Sequence, residues 1–232
     1  MTPKLRADLL LLLAAAIWGF AFVAQRLGME HTGPLAFNGT RFALGAAVLV
    51  PLVRTRGRRP AGEGAPPAPW RRDLRRGLIL GLVLFGGATL QQFGVVYTTA
   101  GKAGFITGLY VVLVPFLGLF VGQHTHKRTW VGAVLAVVGL YFLTITGAMH
   151  MARGDLLVLI GAFFWATHVV LIGKWVGKTE PVRLAALQFA VCSLVSLPLA
   201  LGLEEPAVAG LRGALWPILY AGLMSTGVAY TL

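Results

Sequence analysis

The chain has 232 residues, 57% of them hydrophobic and 12% charged, with a formal net charge of +12. A water-soluble domain carries roughly 25% charged residues, so the composition excludes an ordinary soluble fold and places most of the chain in lipid. The excess of cations would suit nucleic acid if it formed a patch, but the Lys and Arg residues fall between apolar runs, which argues for a lipid bilayer and no nucleic acid as partner.

Apolar runs of about 20 residues, enough to cross roughly 30 Å of hydrocarbon, recur along the chain. Spans are predicted near 8 to 28, 34 to 53, 77 to 97, 103 to 122, 129 to 147, 155 to 174 and 182 to 202, with an eighth from 213 that reaches the last residue. The first has a basic start like a signal peptide. It is too long for one and lacks a small-residue cleavage site, so it reads as a retained span. Trp18 lies near its midplane, away from the interfacial belts where tryptophans anchor to lipid, and Gln25 shares its helical face. Either the indole packs between helices or it forms the wall of a cavity for flat or apolar solutes.

The second span, "FNGTRFALGAAVLVPLV", carries Arg41 roughly 10 Å inside the outer surface at about 1.5 Å per residue. Asn38, Arg41 and Gly45 share one face of this helix. Three readings of Arg41 stay open: snorkelling to headgroups, bracing the bundle through backbone carbonyls, or meeting a substrate carboxylate. The following connection, 54 to 76, "RTRGRRPAGEGAPPAPWRRDLRR", reads as a topology anchor and flexible linker with affinity for anionic lipid.

Spans three and four hold uncharged hydrogen-bonding residues: Thr89, Gln91, Gln92, Thr107 and Tyr110. Such groups cement helices in hydrocarbon or line a cavity. Candidate small-residue contacts are Gly77 with Gly81, Gly104 with Gly108 and Gly118 with Gly122, and Pro115 is expected to bend the fourth helix. His124 and His126, before the fifth span, have no third ligand beside them. The sixth span places Trp165 at the depth of Trp18 with His168 on its face, and the seventh carries Gln188 and the lone Cys192, which rules out an internal disulfide. All eight carboxylates lie at span ends or in connections, so a carboxylate proton relay at depth is not expected.

Fifteen of the 20 Lys and Arg residues fall in the N-terminus and the even-numbered connections and four on the opposite side, Arg41 being the remainder. The positive-inside rule then puts the N-terminus in the cytoplasm. A shift of 147 positions lays residues 8 to 53 over 155 to 200 without a gap, matching Asp8 with Asp155, Trp18 with Trp165, Thr32 with Thr179, Pro34 with Pro181, Pro51 with Pro198 and Arg41 with the polar Gln188. Since span six repeats span one, the unit holds five spans, and an odd number inverts the second copy relative to the first. The halves are predicted as 1 to 147 and 148 to 232. By this register the sequence stops at the counterpart of Gln91, so an incomplete copy of a longer protein is expected, truncated within the eighth helix.

The stretches "AAIWGFAFVAQRLG", "TRFALGA" and above all "LQQFGVVYTTAGKAGFITGLYVVLVPFLGLF" resemble the EamA family of the drug/metabolite transporter superfamily. The resemblance implies an all-α integral membrane protein of the cell membrane, ten helices in inverted five-helix repeats, with both termini cytoplasmic. It also implies transport of small organic solutes such as amino acids or metabolites, often outward. Here the last two and a half helices of that pattern are absent. The function expected is thus a secondary exporter working by alternating access, with a non-transporting scaffold or inactive fragment as the alternative. A membrane enzyme is least favoured, since no nucleophile with its base, carboxylate pair or metal cluster is in reach. No cofactor is implied, a homo-oligomer is allowed for, and the candidate cavity residues are Trp18, Gln25, Arg41, Thr89, Gln91, Gln92, Thr107, Tyr110, Trp165, His168 and Gln188.

Overall fold

A computed structural model of the chain describes residues 2–56, 70–122, 127–144, 152–175, 177–205 and 209–231. Among these the regular elements are all helical: α1 Pro3–Gly28, α2 Pro34–Arg56, α3 Trp70–Val96, α4 Ala100–Gly108, α5 Tyr110–Phe120, α6 Lys127–Thr144, α7 Arg153–Trp175, α8 Pro181–Leu203, a 3-10 turn at Ala209–Leu211 and α9 Leu215–Leu219, which runs into a π-helical segment, Tyr220–Val228. Six stretches are long and apolar enough to cross a membrane: Lys4–Gly28, Pro34–Thr55, Trp70–Val96, Ala100–Phe120, Arg153–Trp175 and Pro181–Leu203. Large apolar side chains such as Leu11, Phe20, Leu194 and Leu201 are exposed along them, as lipid-facing residues must be.

Three predictions need correction. The Arg-rich connection is not a linker from 54 to 76, because α2 runs on to Arg56 and α3 already starts at Trp70; residues 57–69 lie outside the described structure. Arginine is a good helix former, and Asp73 in the first turn of α3 suits the helix dipole. The predicted fourth span is found as Ala100–Phe120, but it is broken at Leu109, whose amide donates in 3-10 fashion to the Ile106 carbonyl, so the break follows Gly108 and Pro115 sits inside α5. The predicted eighth helix is only Leu215–Val228, shorter than a crossing and mostly π-helical. There Thr226 Oγ1 donates to the Ala221 carbonyl, five residues back, and competes with the ordinary backbone ladder. The predicted end of the fifth span, as well as His124 and His126, lies outside the described residues.

Helix starts are set locally. Thr2 caps α1 and Thr99 caps α4 through hydroxyls that accept from Leu5 and Lys102 amides, while Glu180 caps α8 by accepting from Val182 and Arg183 amides. The start of α2 is capped from elsewhere. Glu204, at the far end of α8, accepts from the Leu35 amide at 2.7 Å and the Ala36 amide at 2.9 Å. Glycine at position 33 leaves room for this, because a Cβ there would crowd the Glu204 carboxyl group.

The helices gather into two compact units, Met1–Leu82 with Val176–Leu232, and Val83–Trp175. In the first, α2 packs along α8 more extensively than any other pair, and α1 and α2 both lie against the π-helical segment. Small residues permit this: a Cβ on Gly81 would sit 2.5 Å from Val191 Cβ, and one on Gly77 2.6 Å from Leu187 Cβ, both on α8. Asp73, 2% exposed, accepts from Arg183 Nη1 at 3.0 Å and ties α3 to α8. In the second unit α7 packs on α4 and α5. There a Cβ on Gly154 would sit 2.5 Å from the Gly94 carbonyl oxygen, so α3 and α7 meet backbone to backbone. Asp155, 1% exposed, accepts from the Thr98 hydroxyl and the Ala152 amide and lies 3.7 Å from Lys102 Nζ.

Of the glycine pairs expected at contacts, Gly77 with Gly81 is at one; Gly108 and Gly122 have open space where a Cβ would go. Gly81→Ala is therefore expected to destabilise the protein by about 1–3 kcal/mol through overpacking, and Gly108→Ala to leave it unchanged or firmer. Thermal unfolding of the two variants in one detergent checks this.

Candidate functional site

Two groups of polar and aromatic side chains lie at depth, one in each unit. In the first unit, Arg41 on α2 is buried, and its Nε donates to Asn38 Oδ1, one turn back, at 2.9 Å. The i to i+3 spacing puts both side chains on one face. The guanidinium carbon stands 4.6 Å from the centre of the Phe42 ring and 5.8 Å from that of Phe37. From Phe42 a ladder of rings continues. Phe42 stacks on Phe189 of α8 at 5.7 Å, Phe189 meets Tyr230 edge-on at 5.0 Å, and Tyr230 meets Trp18 of α1 edge-on at 5.6 Å. Trp18 is 37% exposed, and its indole N–H donates to the Ser225 carbonyl of the π-helical segment at 3.2 Å. π-Helical turns recur at functional sites because they re-aim backbone groups.

In the second unit Gln91 is the hub. Its Oε1 accepts from the Trp165 indole at 2.9 Å and from the Thr107 hydroxyl at 3.3 Å, joining α3, α4 and α7. One acceptor oxygen has two lone pairs, so both are used. His168, buried, meets Trp165 edge-on with ring centres 6.0 Å apart. Thr89 Oγ1 is sealed from solvent and has no hydrogen-bond partner among the described residues. Such an atom costs free energy unless a ligand or water reaches it.

The residues singled out from sequence thus divide between the units. Arg41 and Trp18 stand at two ends of one ring ladder; Gln188, next to Phe189, is buried on α8, and Gln25 is buried on α1. Gln91, Thr107, Trp165 and His168 come together in the second unit. Gln92 is fully buried on α3 and Tyr110 half-buried at the start of α5, with Thr107 bonding to Gln91 and not to Tyr110. Sequence reasoning left out Phe37, Phe42, Phe189 and Tyr230. The signal available was the register itself, since Phe42 and Phe189 are equivalent under the 147-residue shift.

The arrangement can bind and orient. Among the described residues no set of three His, Cys, Asp or Glu side chains could hold a metal ion. Indole N–H, amide, hydroxyl and guanidinium groups beside aromatic faces suit a small organic molecule.

A family model described as the EamA-like transporter family matches residues 5–145 and 152–232. An uncharacterized transporter of Archaeoglobus fulgidus is 34% identical over 198 residues, 85% of this chain and 58% of the relative, so the chain spans little more than half of that protein's length. A second from the same organism is 26% identical, with 98% of this chain and 78% of the relative covered. The uncharacterized inner membrane transporter YedA of Escherichia coli is 29% identical over 65% of this chain and 47% of its own length. One solved structure, described only as the crystal structure of a protein, superposes with a TM-score of 0.69 at 18% identity, covering 97% of this chain and 76% of that one. That likeness concerns fold alone.

Replacing Gln91 by Leu leaves the Trp165 indole and the Thr107 hydroxyl without their shared acceptor. A loss of about 1–3 kcal/mol in stability is expected, with a shift in tryptophan emission that Gln91→Glu, which keeps an acceptor, does not reproduce.

Proposed function

Because the chain belongs to the EamA-like transporter family, we propose that it carries small organic solutes across the cell membrane by alternating access, outward in the cell. The observation that carries this reading is the stack of Phe42 on Phe189. The two are aligned by the 147-residue shift, and contact between aligned positions supports a pseudo-two-fold axis between them, as at an isologous interface. Residues on such an axis support a site shared by two halves of opposite orientation. Two such halves have the same pair of conformations available in opposite senses, so the site opens first to one side and then to the other.

Neutral donors and acceptors at depth support small solutes over inorganic ions. Trp18 and Trp165, equivalent in the repeat, each anchor the indole N–H and leave ring surface for stacking. The scarcity of deep carboxylates fits a carrier whose binding step does not depend on an acidic proton relay.

Two measurements test the proposal. With Cys192 replaced by Ala, cysteines placed at Lys4 and Arg153, in the first turns of α1 and α7, should be labelled by a membrane-impermeant thiol reagent from opposite sides of the bilayer; labelling from one side removes the inverted repeat. In transport assays across a metabolite panel, Trp18→Ala and Trp165→Ala should each lower the initial rate by about tenfold, near 1.4 kcal/mol in the barrier, with little change in membrane abundance. Equal loss of rate and abundance would mark both tryptophans as packing residues.

A further inference from the structure

Resting on that reading of the chain as a carrier, we infer that Arg41 is an anion subsite: its guanidinium receives the carboxylate of a small organic monoanion. Arg41 is only 4% exposed. Asn38 takes Nε, and the Phe42 and Phe37 ring centres lie 4.6 and 5.8 Å from the guanidinium carbon. The remaining edge, Nη1 with Nη2, makes no hydrogen bond and no ion pair among the described residues, whose two ion pairs are Lys102 with Asp155 and Arg183 with Asp73. Neither Nη is wholly sealed.

A lone cation within a span is costly, about 3 kcal/mol on insertion scales, and ring faces do not supply the negative charge that would offset it. An incoming carboxylate does. The free edge is the one that meets a carboxylate through two parallel N–H···O bonds, a geometry that Lys cannot offer. Three acids of this unit are engaged at helix ends: Asp73 holds Arg183, Glu180 caps α8 and Glu204 caps α2. One guanidinium matches one negative charge; a dianion would bring a second charge that no other cation of the described group meets.

The test uses the chain in nanodiscs of neutral lipid, with phenylacetate, its uncharged amide phenylacetamide and the cation phenethylamine as probes. Phenylacetate should raise the Tm and bind by calorimetry, and the other two should not. Arg41→Gln should lose the response while its unliganded Tm equals or exceeds that of the parent, since a buried unpaired charge has been removed. Arg41→Lys should bind at least about tenfold more weakly, which is 1.4 kcal/mol. A lower unliganded Tm for Arg41→Gln, or failure to fold, would make Arg41 a brace and overturn the inference. So would equal response to acid and amide. If phosphatidylglycerol discs stabilise the parent over Arg41→Gln and phenylacetate does not, the occupant is a lipid headgroup and the passenger reading falls. Binding of phenylacetate without transport leaves the subsite standing and removes the carrier; transport of uncharged solutes without anion binding does the reverse.

Discussion

The close packing of α2 along α8, with one guanidinium buried on α2, constrains the first unit more than any other pairing of helices. In hydrocarbon each polar group needs a partner inside the protein, and Arg41 is met by Asn38, Phe37 and Phe42 on its own helix before any other element is involved. Three of the positions around the cation are thus supplied by one face of α2. That face must then lie against α8, where Phe189 covers Phe42, and against the π-helical segment, where a Cβ on Gly222 would crowd Leu44. Close approach, aromatic cover and the placement of the charge are one packing problem with one solution.

The second unit meets the same constraint with neutral groups. Gln91 uses a single oxygen to satisfy an indole on α7 and a hydroxyl on α4. Because α3 and α7 touch through the Gly94 and Gly154 backbones, the amide side chain has little room to move, and the hydrogen bonds hold it in one rotamer. Charge appears in this unit as Lys102 near Asp155 and in the first as Arg183 on Asp73. Each of these acids stands in the first turn of its helix, where the dipole favours it. Carboxylates are buried in this protein, then, but at helix starts and with cations beside them.

Lipid exerts so strong a selection on composition that the membrane class and the ends of α1, α2, α7 and α8 were readable to within a few residues, with Pro34 and Pro181 marking two starts. What escaped depends on pairs remote in sequence. The early start of α3 is held by Arg183, more than a hundred residues away. The π-helical turn and the break at Leu109 leave no periodic trace in an all-apolar run, since a greasy helix of any pitch looks alike. Trp18, Arg41, Gln91, Thr107 and Trp165 stood out because they are polar or large where neither is needed. Phe42 and Phe189 did not, since phenylalanine in a membrane helix attracts no notice.

The borrowed cap on α2 ties two remote points of the chain together. Under the 147-residue shift Gly33 falls on Glu180, which caps α8 from its own loop. A side chain at position 33 would meet the Glu204 carboxyl group, the mobile end of a flexible side chain, and push it off the Leu35 and Ala36 amides. The first turn of α2 thus keeps its anion only while position 33 stays bare, and the start of one helix is held by the tail of another.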